Sequence, residues 1–304
     1  YKVLDHQGHW KGICRQGLTL TLLRRWFVPV QRLIYNHISY KTGEEANVKR
    51  PCKINLPRTT SIDAKTGVSV KLPPDKQLVT YLKRTEEQEI NQAYINRYPD
   101  KASRSEKMKA IMRCLSWNLD NALSPYIFTK THPESYKEFV DNSPKIKYTV
   151  ECIRSVKKWH EERGESVSGQ VIYMNRGKDY FKYIVEYLHQ ELGFAPSVKY
   201  KNTSVSEVEL ITSEVAQSRR EIIKDAFLDG VVKVIIGTAT IREGIDLQRK
   251  GTVLYNCYPD WNPTDAKQLE GRIWRQGNDF GYVRIVMPLV QDSMDVFVFQ
   301  KLEE

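Results

Sequence analysis

Five of the six residues Val231-Val-Lys-Val-Ile-Ile236 are apolar and β-branched, with one lysine among them, and such a run suits a strand covered on both faces. Its surroundings repeat the theme. Short β-branched runs at Gln170 to Asn175, Val208 to Ile211, Val231 to Gly237, Thr252 to Cys257 and Tyr282 to Met287 alternate with amphipathic stretches, which is the order of βα units in a parallel sheet. Phe181, Ile184, Val185 and Leu188 recur at helical spacing, as do Ile222, Ile223, Ala226 and Phe227 behind Ser213, read as an N-cap with Glu214 following it. The expected fold class is α/β, a parallel sheet with helices on both faces.

The first half lacks this rhythm. Residues 1–80 contain Pro51, Pro57, Pro73 and Pro74 and little periodicity, whereas Lys83 to Asn96 and Ser103 to Leu123 turn helical, with Ile111, Met112, Leu115 and Leu119 on one stripe. Asn142-Ser143-Pro144 then breaks the chain before a helix carrying Ile153, Val156 and Trp159. Trp10, Trp26, Trp117 and Trp159 are read as core residues. A basic, mostly helical extension over 1–143 is therefore expected to precede an α/β lobe over 144–304. Charge is divided in a similar way. The 304 residues include 47 Lys and Arg against 37 Asp and Glu, a net +10, and residues 1–150 hold 26 basic and 14 acidic side chains while 151–304 hold 21 and 23.

With 40% hydrophobic and 28% charged residues the chain is neither disordered nor fibrous. No apolar stretch approaches the roughly 18 residues that a membrane helix needs and no signal-peptide pattern opens the sequence, so a soluble protein is expected, with no membrane partner. The five cysteines, Cys14, Cys52, Cys114, Cys152 and Cys257, are scattered and never form a CxxC pair, which points to reduced intracellular thiols. The chain begins at Tyr1, as a piece of a longer polypeptide would. His6 and His9 have a metal-compatible spacing without a second ligand pair, so no metal site is expected.

The segment from Asp260 to Asn278 carries the chemistry. Asn262, Pro263 and Asp265 together make a helix start: a capping side chain, a proline at the first helical position, and a carboxylate near the positive end of the dipole. On a continuing helix Gln268, Arg272 and Arg275 fall at i, i+4 and i+7 and share one face, with Ala266, Leu269 and Ile273 towards another. Two guanidinium groups held together repel unless an anion meets them, and their forks suit phosphate oxygens. A solvated helix face is the plainer alternative.

This segment resembles the last motif of superfamily-2 helicases in the form found in Swi/Snf-type ATPases, Asp-Trp-Asn-Pro, then Gln, then Gly-Arg and a further Arg. Other motifs stand in the proper order. Gly237-Thr-Ala-Thr-Ile-Arg-Glu-Gly-Ile-Asp-Leu247 resembles motif V and Val171-Ile-Tyr-Met-Asn-Arg176 resembles motif IV. Ser218-Arg-Arg220 precedes a helix where the family has an arginine-containing one, and Leu72-Pro-Pro74 with Glu86-Glu-Gln88 resembles the stretch joining the two motor lobes. Asp246 stands where Swi/Snf members commonly have Asn, Arg242 and Glu243 replace small or apolar residues, and Trp274 replaces a frequent histidine. A buried strand ending at Gly237 would in any case place Thr238, Thr240 and Gly244 at its carboxyl end, where ligands of open α/β sheets bind.

The resemblance implies a RecA-like C-terminal helicase lobe. It implies that Arg272 and Arg275, with Gln268, act as catalytic arginine fingers and their companion, and that Gly244 and Asp246 serve the nucleotide. Thr238, Thr240, Asn175, Arg176, Arg242 and Trp274 would contact nucleic acid. None of the 16 glycines opens a GxxxxGK[ST] phosphate loop, since Gly177-Lys178 is followed by Asp179, and there is no DExH box. ATP and Mg2+ would then be held mainly by an N-terminal RecA-like lobe of the same polypeptide, and this chain alone would hydrolyse nothing. The partner implied is double-stranded DNA and the location intracellular, cytoplasmic in a bacterium or nuclear in a eukaryote. Competing readings are the motor of a restriction, phage-defence or mobile-element system, and a non-catalytic nucleic-acid-binding module. The basic first half is expected to add an electrostatic DNA track or a face for an acidic partner.

Overall fold

The computed structural model describes residues 82–98, 104–242 and 245–303, together with five short strands at 2–4, 10–13, 52–56, 60–62 and 69–71. Leu72-Pro-Pro74, His6, His9, Trp26, Cys14 and Gly244 lie outside the described residues. The chain divides into two compact units, 1–49 and 50–304. The first contains β1 (Lys2–Leu4) and β2 (Trp10–Ile13), an antiparallel pair.

The second unit opens with β3 (Cys52–Leu56) and the antiparallel pair β4 (Thr60–Ile62) and β5 (Ser69–Lys71). Among the described residues five helices follow: α1 (Glu86–Arg97), α2 (Arg104–Leu123), α3 (Pro125–Thr129), α4 (Tyr136–Asp141) and α5 (Pro144–Glu161). Then come β6 (Gly169–Tyr173), α6 (Phe181–Leu192), the hairpin of β7 (Val198–Tyr200) and β8 (Thr203–Val205), β9 (Val208–Ile211), α7 (Gln217–Leu228) and β10 (Val234–Gly237). The chain ends with β11 (Gly251–Asn256), α8 (Pro263–Glu270), β12 (Tyr282–Val286) and α9 (Met294–Glu303).

Six strands form one sheet in the order β3-β12-β11-β6-β10-β9, and all five pairings are parallel. The fold is α/β and RecA-like, with helices on both faces and a mostly helical region before it. Of the apolar run, Val234–Gly237 form β10 and are fully buried, while Val231 and Lys233 before it are half-buried, and covering a Val or Ile side chain stabilises by about 1.5–3 kcal/mol. One core joins α2, α5, α6 and α9 to one face of the sheet through Leu119, Ile153, Phe181 and Val298 packed with Ile172, Val234 and Tyr255. The opposite face carries α7 and α8 through Ile223, Phe227 and Leu269.

Several expectations change. The helix behind Ser213 starts at Gln217 with Ala216 at its cap, so Ser218-Arg-Arg220 lies inside α7 and does not precede it. In α2 the stripe is turned differently: Leu119 is buried and Leu115 half-buried, but Ile111 and Met112 face solvent. Helix α1 packs on α2 through amides as well as through the Tyr94 and Trp117 rings. Gln88 donates to the Asn121 carbonyl at 2.9 Å, Asn91 to the Asn121 side chain at 3.1 Å, and Asn118 to Gln92 at 2.7 Å. Trp159 is 40% exposed beneath the Arg163 guanidinium, 3.9 Å from the ring centroid, and Trp117 is half-buried. Strand β3 comes from the stretch with little periodicity. Cys114, Cys152 and Cys257 are free thiols, and no described helix is long and apolar enough to cross a membrane.

Candidate functional site

Strands β6 and β10 are neighbours, yet their chains leave the sheet in opposite directions. After β6 the chain enters α6 on one face; after β10 it packs Ile241, Ile245 and Leu247 on the other. A crevice opens at such a switch point, outside the carboxyl ends of the strands. Asn175 and Arg176 follow β6 there, and Thr238 follows β10. The Met174 N–H donates to the Gly237 carbonyl at 3.0 Å and the Ala239 N–H to the Asn175 side-chain oxygen at 3.4 Å, which ties the two loops together. Gly237 lets Ile241 and the end of β9 close on the same turn, because a Cβ there would lie 2.7 Å from the Ile211 carbonyl oxygen and nearer still to Ile241.

The crevice is a cavity of about 560 Å³ lined by Asn175, Arg176, Lys178, Thr238, Lys130 and His132 among others. Arg176 lies 3.7 Å from Asp120 and donates to Ser116 at 3.3 Å. Burial pushes the Asp120 carboxyl up, opposed by the Arg176 charge, and it pushes the Tyr258 phenol beside Asp120 up to about 12. Thr238 is half-buried at the rim, whereas Thr240 is buried with its hydroxyl 3.4 Å from that of Thr238.

The Asp260–Asn278 segment folds on the other side of this loop. Asn262 caps α8 by accepting from the Thr264 N–H at 3.0 Å, with Pro263 at the first position. The helix ends earlier than its spacing suggested, at Glu270 before Gly271, a poor helix residue. Turns then carry Arg272 and Arg275, so the two arginines do not share a helical face with Gln268. They are nevertheless brought together. The Arg272 Nη2 donates to the Arg242 carbonyl and its Nη1 lies 3.8 Å from Asp246, while Arg275 pairs with the same Asp246 carboxylate. The Leu247 N–H fixes the turn by donating to the Arg272 carbonyl at 2.9 Å. The Arg272 Nε is buried with no hydrogen-bond partner. Gln268 is exposed on α8, and Trp274 is half-buried against the core under α7 and α8.

Arg242, expected at nucleic acid, points elsewhere. Its guanidinium lies 3.0 Å from Asp260 and 2.9 Å from Asp265, and the Tyr173 hydroxyl donates to Asp260 at 2.6 Å. Burial and the Asp260 bond push the Tyr173 phenol up. This chain of contacts joins the end of β6, the motif V turn and the start of α8. Asp260 and Asp265 were legible as part of a helix start but not as partners of Arg242. Asp120, Lys130 and His132 carried no motif signal at all. Among the described residues no group of three or more His, Cys, Asp or Glu side chains could hold a metal ion.

Residues 144–277 match the family described as helicase conserved C-terminal domain. No curated protein matches the sequence. Among solved structures, the Sulfolobus solfataricus SWI2/SNF2 ATPase core is 18% identical with a TM-score of 0.53, covering 74% of this chain and 41% of that one. The same core in complex with dsDNA is 16% identical with a TM-score of 0.51, covering 74% and 44%. The C-terminal part of the Fun30 ATPase domain is 15% identical with a TM-score of 0.46, covering 84% and 90%. At such identities the likeness to the Sulfolobus cores is one of fold, and this chain spans less than half the length of either.

Proposed function

We propose, from the premise that residues 144–277 match the family described as helicase conserved C-terminal domain and that the fold is that of SWI2/SNF2 ATPase cores, that this chain is the second motor lobe of an ATP-driven translocase on double-stranded DNA. One observation carries the reading: two arginines meet at Asp246, and the Arg272 Nε has no partner of its own. A buried N–H without an acceptor is costly to leave unmade. An anion arriving at this surface competes with Asp246 for both guanidinium groups, and a side chain drawn out towards it would bring the Arg272 Nε to an acceptor. The γ-phosphate of ATP fits that chemistry, and Arg272 and Arg275 are the groups of this lobe that would meet it. Bound ATP with Mg2+ supplies the phosphoryl group that is transferred, and the phosphate loop and metal ligands belong to a first lobe in this reading.

What this chain contributes is position and charge. Arg272 is oriented by the Arg242 carbonyl, and Arg242 is itself held by Asp260 and Asp265. Movement of the arginines onto the first lobe therefore acts directly on the turn after β10, whose Thr238 faces the cavity with Asn175 and Arg176. These groups can hold backbone phosphates, which fix register without reading sequence. ATP favours the closed arrangement of lobes to the extent that it binds that arrangement better. The basic first half adds a sequence-independent attraction for DNA.

The test uses the polypeptide or complex that also supplies a phosphate loop. Arg272→Ala and Arg275→Ala should each lower DNA-stimulated ATP hydrolysis by about 10³- to 10⁵-fold, the range of arginine fingers, while duplex affinity stays within about twofold on phosphate contacts made elsewhere. Normal turnover in either variant would remove the finger role.

A further inference from the structure

The cavity between β6 and β10 has a second wall that none of the helicase-like motifs includes. It is the segment after α3, which brings Lys130 and His132 opposite Arg176 and Thr238. Lys130 occupies the cap of α3 at φ 58° and ψ 29°. That left-handed conformation favours glycine or asparagine, and a lysine there carries steric strain. Such strain persists where the surroundings fix it, and it concentrates where a side chain has a task.

The surroundings here are specific. The Tyr180 hydroxyl lies 3.0 Å from the Tyr126 carbonyl and 2.8 Å from the Thr131 carbonyl, donating between them on either side of Lys130. His132 stacks on the Tyr180 ring at 5.3 Å and 21°. Gly177, at φ 72°, lets Ile127 pack against its backbone, where a Cβ would clash. The segment is thus docked on the turn that follows motif IV and its lysine is held at the cavity.

The cations around the cavity differ in their commitments. Lys178 is paired with Glu214 and Arg176 lies beside Asp120. Among the described residues no carboxylate stands within ion-pair distance of Lys130, although its charge is felt by Asp120 across the cavity. We propose that Lys130 is a DNA-contacting residue, binding a backbone phosphate of the strand that lies along the loops after β6 and β10, so that the helical extension forms the second side of the groove. The inference rests on the reading of this lobe as part of a DNA motor.

Lys130→Gly separates function from folding, because glycine relieves the left-handed strain. The full chain is titrated into a labelled DNA duplex over a series of salt concentrations, beside Lys130→Arg and Arg176→Ala. Lys130→Gly should melt no lower than the parent and bind about fivefold more weakly, with the slope of log affinity against log salt shallower by about one contact. Lys130→Arg should keep affinity and slope. If Arg176→Ala weakens binding and Lys130→Gly does not, the inference fails and the motor reading stands. An equal loss in Lys130→Arg and Lys130→Gly would also overturn it, since charge would not be the cause. If neither Arg176→Ala nor Lys130→Gly alters binding, the DNA reading of the cavity falls with it.

Discussion

Asp120 shows how a single carboxyl can act against both stability and binding. It is a mostly buried side chain at the cavity, near Arg176 and within 3.3 Å of the Tyr258 hydroxyl. Burial raises its pKa above the ordinary value by more than the Arg176 and Lys130 charges lower it. A raised folded-state pKa means that the native protein holds this proton more tightly than the unfolded chain does. The associated stability is therefore fully present below the ordinary carboxyl value and is lost as pH rises through the folded value. Asp120→Asn removes that loss. The variant should melt higher than the parent at pH 7, with the gap closing as the pH falls below the carboxyl range. It should also bind duplex DNA about threefold more tightly at low salt, because one repelling charge leaves the cavity. A lower melting temperature at pH 7 would show that the attraction to Arg176 outweighs burial.

At the scale of elements, α9 is the clasp between the helical extension and the sheet. The Met294 N–H donates to the Asn118 side chain of α2, and Asp295 receives both the Lys145 ammonium of α5, 2.9 Å from each oxygen, and the Val290 N–H at 3.1 Å. Lys145 and Asp295 are almost completely buried. Removing one partner of such a pair leaves an uncompensated charge, so Lys145→Met should cost about 3–5 kcal/mol in urea unfolding. Adding Asp295→Asn, which keeps an acceptor for Val290, should recover most of that; a double variant as unstable as the single would place the loss in packing. These polar bonds could not be read from periodicity, which marks only the apolar contacts among the same elements, such as those of Leu119, Ile153 and Val298. The parallel sheet was legible because β6, β10 and β11 are buried on both faces and their composition says so. The α1–α2 contact was not, since much of it is made by Gln88, Asn91, Asn118 and Asn121, and the stripe of Ile111 and Met112 pointed to the wrong side. Likewise the pattern around Arg272 and Arg275 marked an anion-binding pair, while Gly271 decided that turns and not a helix would hold them.

For the whole molecule, the span that matches a helicase family and the span that shares a core are different. The match begins at residue 144, but Leu119, Leu123, Ile127, Phe139 and Val140 of the preceding helices are buried in the same cluster as Ile172, Phe181, Ile184 and Tyr255. Covering five such side chains stabilises by on the order of 10 kcal/mol, which is as large as the net stability of a typical domain, about 5–15 kcal/mol. The hydroxyl of Tyr180 adds polar bonds to the same region, donating to the Tyr126 and Thr131 carbonyls. A fragment of residues 144–304 should therefore keep helical and strand signals in far-ultraviolet circular dichroism but lose cooperative unfolding and bind a hydrophobic dye, as collapsed chains with exposed cores do. The intact chain should show a sharp transition and little dye binding under the same conditions. A fragment that unfolds sharply would mean that the extension lies on a finished lobe. The expected result makes the extension part of the lobe's own core, which is what lets the segment after α3 hold a groove wall rigidly against the loops at the ends of β6 and β10.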